Sequence, residues 1–132
     1  MTPARLSLSL LPDRLAICRL DPHAQTPDWA TAPGPFASWT RTEDELSIVC
    51  PEERVPEGVR SDRGWRALKL EGPLELTLTG IIASMAAPLA EAGIPIFMVA
   101  TYDTDYLLVR DGQLDPAIAA LRDGGHTVRA GD

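Results

Sequence analysis

The stretch TGIIASMAAPLAEAGIPIFMVATYDTDYLLV, residues 79–109, contains the patterns of one helix and two strands. Over residues 79–92, apolar side chains recur at the spacing of an amphipathic helix. Gly93 follows directly and suits a helix C-terminus, because glycine adopts left-handed backbone angles without strain. Two apolar runs come next, at residues 94–100 and 106–109, and each has the length of a short strand. The stretch therefore predicts a helix followed by a pair of strands.

Pro88 falls inside the predicted helix. Proline has no backbone N–H, so the carbonyl of Ser84, one turn earlier, loses its usual helical donor. The sequence therefore predicts a kink in the helix at this point.

The pattern continues on both sides of this stretch. Residues 65–71 predict a strand before the helix. Asp115 followed by Pro116 is a start signal for a second helix, since a capping side chain and a first-position proline stand together. Two glycines, 124 and 125, end that helix, and residues 126–128 predict a final strand. The order of elements is β-α-β-β-α-β, the split arrangement of the ferredoxin-like fold.

The first residues of the chain predict two strands. Residues 5–11 alternate leucine with serine, the pattern of a half-buried strand, and residues 14–20 predict a second one. Pro12-Asp13 lies between them, so we expect a hairpin that turns at this dipeptide.

The rest of the N-terminal half predicts shorter elements. Four prolines within residues 21–35 leave room only for a short helix, and residues 36–42 and 45–50 predict two more strands. Residues 51–64 are rich in Pro, Glu, Arg and Gly, which is typical of a boundary. We therefore expect two subdomains, residues 1–62 and residues 63–132, the first of which resembles a degenerate copy of the second in element order alone.

Charge and hydropathy exclude several classes of partner. The chain has 19 acidic and 12 basic residues, a net charge of −7, and Lys69 is its single lysine. Nucleic acids and anionic membranes both favour clusters of Lys and Arg, so neither is expected as a partner. The apolar stretches are far too short to span a membrane, and residues 1–19 lack the apolar block of a signal peptide. We therefore expect a cytoplasmic location.

The residues that carry catalysis or hold metals are sparse. Cys18 and Cys50 have no CxxC spacing and lie in apolar runs, so we expect both to be small buried hydrophobes. His23 and His126 are far apart and lack further ligands at zinc spacing. No nucleophile motif or phosphate-binding loop occurs in the sequence. We therefore expect no cofactor, no metal and no enzymatic activity.

A family resemblance is carried by residues 45–56, ELSIVCPEERVP, and by residues 64–109, from GWRALKLEG to ATYDTDYLLV. This segment resembles bacterial stand-alone ACT-domain proteins. It is also similar to the ACT domains of aspartate kinase and to the cytosolic arginine sensors of animals. The resemblance covers roughly residues 45–125. It implies an α+β fold of tandem ferredoxin-like (βαββαβ) ACT subdomains, with antiparallel sheets and helices on one face.

The resemblance also implies that a small ligand, such as an amino acid, binds between ACT domains. Contacts in the family come from the loop entering the first helix and from the strand that follows the helix. On this chain the implied positions are Thr79, Gly80, Ile81, Thr101, Asp103, Thr104 and Asp105. The two aspartates depart from the aspartate-kinase pattern and match the stand-alone and sensor branch better.

The chemistry of an amino acid suits these positions. The free N–H groups of a helix N-terminus favour a carboxylate, and Gly80 allows close approach to the backbone. Asp103 or Asp105 can accept hydrogen bonds from an ammonium group. Each position also has a structural alternative: Gly80 suits a tight strand-to-helix corner, the aspartates suit a turn, and Thr79 suits a helix cap.

Two functions remain open at this stage. One is a regulatory or sensor module that binds a small molecule, with acidic residues that mildly favour a basic amino acid. The other is an assembly module that acts through protein–protein contacts of its sheet. Both faces of residues 94–100 are apolar, which predicts a homodimer because a sheet with one helical layer ordinarily has one polar face.

Overall fold

The computed structural model describes residues 5–71 and 80–131. These residues form seven strands and three helices, together with single 3₁₀ turns at Glu52–Arg54 and Asp111–Gln113. The strands are β1 (Ser7–Leu20), β2 (Ser38–Arg41), β3 (Leu46–Pro51), β4 (Ser61–Leu70), β5 (Phe97–Ala100), β6 (Asp105–Arg110) and β7 (Thr127–Arg129). The helices are α1 (Asp28–Thr31), α2 (Ile81–Glu91) and α3 (Leu114–Asp123). None of these helices could traverse a bilayer, since the longest, α2, has 11 residues.

The chain forms two compact units. The smaller unit consists of residues 12–65, and the described residues of the larger unit are 5–11, 66–71 and 80–131. Strands β1 and β4 each contribute residues to both units. The opening residues of β1 thus group with the C-terminal half of the chain. The subdomain division expected at residues 62 and 63 stays a prediction.

The larger unit contains the predicted β-α-β-β-α-β order, formed by β4, α2, β5, β6, α3 and β7. Its strands lie in the order β7, β1, β4, β6, β5. The first residues of β1 therefore lie between β4 and β7, the first and last strands of this series. Leu8 of β1 is opposite Val128 in a parallel pairing with β7. Strands β5 and β6 are antiparallel.

Helices and strands of the larger unit share one apolar core. Leu6, just before β1, and Leu8 within it are buried, as the leucine–serine alternation predicts. They pack in a cluster with apolar residues of β4, β6, α2 and α3, which include Leu68, Leu70, Met85, Leu89, Leu107, Val109, Ala117, Ile118 and Leu121. Each fully buried leucine contributes about 1.5–3 kcal/mol, so this cluster is the main source of stability in the unit.

Gly93 ends α2, as predicted. Its φ of +72° is left-handed, and its N–H donates to the carbonyl of Ala90 over 3.0 Å. The N–H of Ile94 reaches back to the carbonyl of Leu89 over 2.9 Å. This pair of bonds is a Schellman motif, and the side chains of Leu89 and Ile94 both join the apolar core.

Helix α3 begins earlier than the sequence predicts. Its first residue is Leu114, so Asp115 and Pro116 lie in its first turn instead of at its cap. The 3₁₀ turn at residues 111–113 runs directly into the helix and supplies the start that we had expected from Asp115. An acidic side chain in the first turn still favours the helix through its dipole.

The predicted hairpin at Pro12-Asp13 is wrong, because β1 is a single strand of 14 residues. The reason lies in the strands that pair with one edge of β1. Its parallel pairing with β7 ends at Ser9, and its antiparallel pairing with β3 begins at Leu15. Pro12 lies between these two registers, where a missing N–H breaks neither ladder, so the proline does not interrupt the strand.

The smaller unit is also α+β, with its strands in the order β2, β3, β1, β4. Strand β3 is antiparallel to both β1 and β2. Helix α1 contributes the buried Ala30 to a core that also contains Ala16, Cys18, Leu46, Ile48, Cys50 and Val55. Together with the larger unit, this architecture confirms the predicted α+β fold with antiparallel ferredoxin-like pairing.

Arginines of the smaller unit hydrogen-bond the carbonyls of its irregular segments. Arg41 bonds those of Pro22 and Ala24, Arg54 those of Ala32 and Pro33, and Arg63 those of Glu52 and Val55. A guanidinium group carries five N–H donors in a planar fork, which suits it to bond two carbonyls at once. These arginines therefore hold the proline-rich loops in place.

Cys18 and Cys50 are free and buried, as predicted. Cys18 is opposite Ile48 and Cys50 is opposite Ala16, so the two cysteines are diagonal neighbours on one face of the β1–β3 pair. A hydrogen bond with Cys50, together with burial, raises the pKa of the Cys18 thiol. Exclusion from solvent keeps both sulfurs away from reagents.

We expect both cysteines of the native protein to react slowly with a chromogenic disulfide reagent at pH 8, and two thiols to react rapidly after denaturation. The physical reason is burial, since Cys18 is 2% exposed and Cys50 is fully buried. Ala119→Cys is the matched control, because Ala119 is exposed on α3 and its thiol should react at once. Rapid reaction of the native wild-type protein would contradict this placement of the cysteines.

Candidate ligand-binding site

Residues 101–105, the turn between β5 and β6 together with the first residue of β6, contain four of the predicted site residues. We call this segment the 101–105 turn. Ala100 and Asp105 are paired across the two strands, so residues 101–104 form the connection. The N–H and the hydroxyl of Thr101 both donate to the carbonyl of Thr104, each over 2.8 Å. The N–H of Thr104 donates to the Thr101 hydroxyl over 3.3 Å. These three bonds close the turn on itself.

Thr104 also fixes this turn to the sheet. Its side chain is buried, and its hydroxyl donates to the carbonyl of Leu70 over 2.6 Å. Leu70 is the last residue of β4, so the turn is held at the end of that strand. The hydroxyls of Thr101 and Thr104 thus have structural partners within the protein. A ligand role for either residue stays a prediction.

The two aspartates of the turn differ in environment. Asp103 is exposed and precedes β6, whereas Asp105 is half-buried and is the first residue of that strand. Asp103 therefore lies in the turn itself and Asp105 at the start of the strand. Next to Asp103, the side chain of Tyr102 is 82% exposed.

Helix α2 begins at a left-handed glycine. Gly80 is its N-cap residue, with φ +77°, and the helix start carries no side-chain capping bond and no acidic residue in its first turn. The carbonyl of Gly80 accepts the N–H of Ser84 over 2.9 Å. The first amides of a helix have no acceptor within the helix itself, so they are suited to an external anion. Ile81 is half-buried against the apolar core.

Part of the predicted site is beyond the described residues. Thr79 and the rest of the predicted loop before Gly80, residues 76–78, lie outside the described part of the chain. Among described residues, the structure groups Thr101, Asp103, Thr104 and Asp105 in one turn and places Gly80 and Ile81 at the start of α2. Their joint membership in one ligand site stays a prediction.

Glu71, the residue after β4, is bonded to β1. Its carboxylate accepts a hydrogen bond from the hydroxyl of Ser9, and its N–H donates to the carbonyl of Ser7 over 2.8 Å. The side chain of Glu71 is therefore already engaged with β1. Among residues 5–71 and 80–131, no three His, Cys, Asp or Glu side chains are grouped so that they could hold a metal ion.

His126 is a buried polar residue that the sequence patterns did not single out. Its ring nitrogen Nδ1 lies 3.1 Å from the N–H of Leu6, and Nε2 lies 2.8 Å from the carbonyl of Ser84. One signal in the sequence pointed to such a contact. Pro88 leaves the carbonyl of the half-buried Ser84 without its helical donor, so a donor from elsewhere in the fold can bond it.

The smaller unit has a surface cleft of about 240 Å3, lined by Pro12, Asp13, Arg14, Pro51, Glu52 and Glu53. Its charged side chains are of both signs. The carboxylate of Glu52 accepts the N–H of Gly64 over 3.0 Å, and its carbonyl accepts a bond from Arg63. Contacts within the protein therefore occupy part of the polar lining.

We expect Thr104→Val to destabilise the protein by about 1–2 kcal/mol, because the buried carbonyl of Leu70 would lose its donor. Thr104→Ser keeps the hydroxyl and is the matched control, with a smaller loss. Urea denaturation measures both. Equal stability of the Val and Ser variants would contradict the anchoring role of this hydroxyl.

Two family profiles match the chain in sequence. The profile of the ACT domain matches residues 60–123, and a second profile, described as an N-terminal domain, matches residues 13–58. The matched ACT segment runs from the start of β4 to the end of α3. It thus contains the 101–105 turn and the start of α2.

The relatives include proteins of bacteria and animals. Protein Atu0741 from Agrobacterium tumefaciens is 42% identical, and its structure matches this one with a TM-score of 0.91. The match covers 98% of this chain and 96% of that one. The bovine cytosolic arginine sensor for mTORC1 subunit 1 is 31% identical over 97 residues, which are 65% of this chain. The match spans only 30% of the length of that sensor.

A more distant likeness concerns the fold alone. The ligand-free regulatory subunit of aspartate kinase from Thermus thermophilus is 13% identical, with a TM-score of 0.59 over 92% of this chain and 99% of that one. Its backbone therefore follows the same architecture. The family profile, the relatives and the element order agree with one another. Through residues 60–123, the chain belongs to the ACT domain family.

Proposed function

We propose that this chain is a regulatory or sensor module that binds a small molecule of the amino-acid class and catalyses no reaction itself. The observation that carries the proposal is the start of α2, where Gly80 provides no side-chain cap and no acidic side chain occupies the first turn. A carboxylate is the group that such a helix N-terminus favours.

The turn at residues 101–105 supplies the complementary charge. Asp103 is exposed at a turn whose backbone is held by Thr101 and Thr104, so its carboxylate is available on a fixed support. An ammonium group bonded there would gain roughly 1.5–3 kcal/mol if the site excludes water. One ligand with a carboxylate and an ammonium group can satisfy both positions, and an amino acid is the simplest such molecule.

The acidic character of the turn favours a ligand with a further cationic group. Asp103 and Asp105 lie two positions apart, and one ammonium group needs only one of them. The second carboxylate would suit the side chain of a basic amino acid. The name of the bovine relative, an arginine sensor, supports this class. A neutral amino acid is the competing ligand that a binding experiment must separate from it.

The proposal extends to a homodimer with ligand sites between copies. Phe97, Met98 and Val99 are all half-buried, although successive side chains of β5 point to opposite faces. Met98 is opposite the core residue Leu107, so its face is covered within the larger unit. Phe97 and Val99 lie on the other face and are half-buried there, and we propose that a second copy covers the part that stays exposed. As in the name of the bovine relative, the expected location is the cytoplasm.

The competing proposal is an assembly module that binds no small molecule. The same apolar residues of β5 favour it, since an apolar sheet face can join two copies without any bound ligand. The two functions predict the same molar mass in light scattering, twice the 14.3 kDa of the chain. They differ in whether any amino acid stabilises the dimer.

Thermal denaturation in the presence of each of the twenty amino acids separates the two. We expect one amino acid, of the basic class, to raise Tm by about 8 °C at a hundredfold excess over Kd, which corresponds to about 2.7 kcal/mol. If the protein is dimeric and none of the twenty amino acids changes its Tm, the assembly module is favoured.

The Asp103→Asn variant tests the site itself. We expect it to weaken binding by roughly 10–100-fold, because a charge-assisted bond to the ligand is lost. Asp123→Asn is the matched control, since it removes the same charge from an exposed position at the end of α3 and should leave Kd unchanged. Equal affinity of both variants, measured by calorimetry, would remove Asp103 from the site.

A further inference from the structure

One carbonyl in the interior of helix α2 has no backbone donor at the usual position one turn further along. Pro88 is inside the helix and has no N–H, so the carbonyl of Ser84 has no donor one turn further along. The Nε2 atom of His126 lies 2.8 Å from that carbonyl oxygen. A side chain 42 residues away in sequence thus occupies the place of the missing helical donor.

The partner of the second ring nitrogen determines which nitrogen of His126 carries the ring proton. The N–H of Leu6 points to Nδ1 over 3.1 Å, and a backbone N–H can only donate. Nδ1 is therefore the acceptor, and the ring proton is on Nε2, from which it is donated to Ser84. Both nitrogens of the neutral ring have partners, and His126 is only 5% exposed.

The main chain around His126 is held as firmly as its ring. The N–H of His126 donates to the carbonyl of Leu121 over 3.1 Å, and Gly125 has a left-handed φ of +94°. These features form the Schellman motif that ends α3. The next residue, Thr127, donates its N–H to the carbonyl of Leu6 over 2.9 Å. Leu6 is thus bonded both to the ring of His126 and to Thr127, the first residue of β7.

From His126, a short path of hydrogen bonds leads to the start of α2. Ser84 accepts the ring N–H with its carbonyl and donates its own N–H to the carbonyl of Gly80 over 2.9 Å. We propose that His126 is a positioning residue, which replaces the bond that Pro88 withholds and thereby fixes the first turn of α2. For the ligand, this inference rests on the proposed function, since the same turn carries the amides proposed to bind a carboxylate.

A purely structural role for His126 makes a different prediction. If the ring only filled a buried polar position, its loss would cost the same whatever residue stood at position 88. If it replaces the donor that Pro88 lacks, the cost depends on that proline. An alanine at position 88 restores an N–H that can bond Ser84 within the helix. The dependence on residue 88 therefore separates the two roles.

The test compares four ligand-free proteins: the wild type, His126→Asn, Pro88→Ala and the double variant. Amide hydrogen exchange, followed by NMR, reports the N–H of Ser84, with the N–H of Thr101 in the turn after β5 as the reference amide. We expect His126→Asn to speed exchange at Ser84, relative to Thr101, by about tenfold, the equivalent of one net hydrogen bond. In the Pro88→Ala background, the same change should have an effect below about threefold.

Two results would overturn the proposal. One is an unchanged relative exchange rate at Ser84 in His126→Asn, and the other is an equal acceleration in both backgrounds. If His126→Asn does not fold by itself, the proposal predicts that the double variant folds, so failure of both also overturns it. His126→Gln, whose longer side chain can bring an N–H to Ser84, should retain most of the protection.

Ligand binding is a separate readout on the same four proteins. If the proposed function holds, affinity for the stabilising amino acid falls in His126→Asn and recovers in the double variant. The exchange measurement needs no ligand, so it decides the positioning role in every case. A wild type that binds no amino acid, but shows the exchange pattern, would refute the proposed function alone.

Discussion

A backbone carbonyl that loses its helical donor is best satisfied by a donor from elsewhere in the fold, and one carbonyl of α2 is in this position. Pro88 withholds the donor from Ser84, and the ring of His126 supplies it. The same ring accepts the N–H of Leu6, the residue before β1, and the N–H of His126 bonds the last turn of α3. The β-α-β-β-α-β order determines which elements are neighbours. This set of hydrogen bonds determines how α2 is held among them.

The same physical rule explains other contacts of the chain. Each proline in the loops of the smaller unit lacks a backbone N–H, and arginines such as Arg54 supply donors to the carbonyls of these loops. At the end of β4, the hydroxyl of Thr104 bonds the carbonyl of Leu70 and so fixes the 101–105 turn. These polar side chains act on the backbone and hold it in one conformation. The turn thereby presents the exposed carboxylate of Asp103 on a rigid support, which is the arrangement that ligand binding requires.

Periodicity and end signals predicted the element order because they depend on neighbouring residues. Helix α2, its end at Gly93 and the strands around it follow from local patterns, and the resemblance to ACT domains agrees with the family match of residues 60–123. The hairpin at Pro12 was wrong, since the residue is a turn signal in sequence, yet it lies where β1 passes from one partner strand to another. His126 was missed because its partners are 42 and 120 residues away. Thr104 was predicted as a ligand contact, and its anchoring bond to β4 depends on a strand pairing that local patterns do not specify.

We propose that the start of α2 and the 101–105 turn form one site for an amino acid. An NMR titration of ¹⁵N-labelled protein with arginine, and with alanine as the neutral comparison, tests this site. We expect arginine to shift the amide signals of Gly80, Ile81 and residues 101–105 together, with one common Kd. Shifts confined to the smaller-unit cleft around Glu52, or no shift with either amino acid at millimolar concentration, would show that these residues do not form the site.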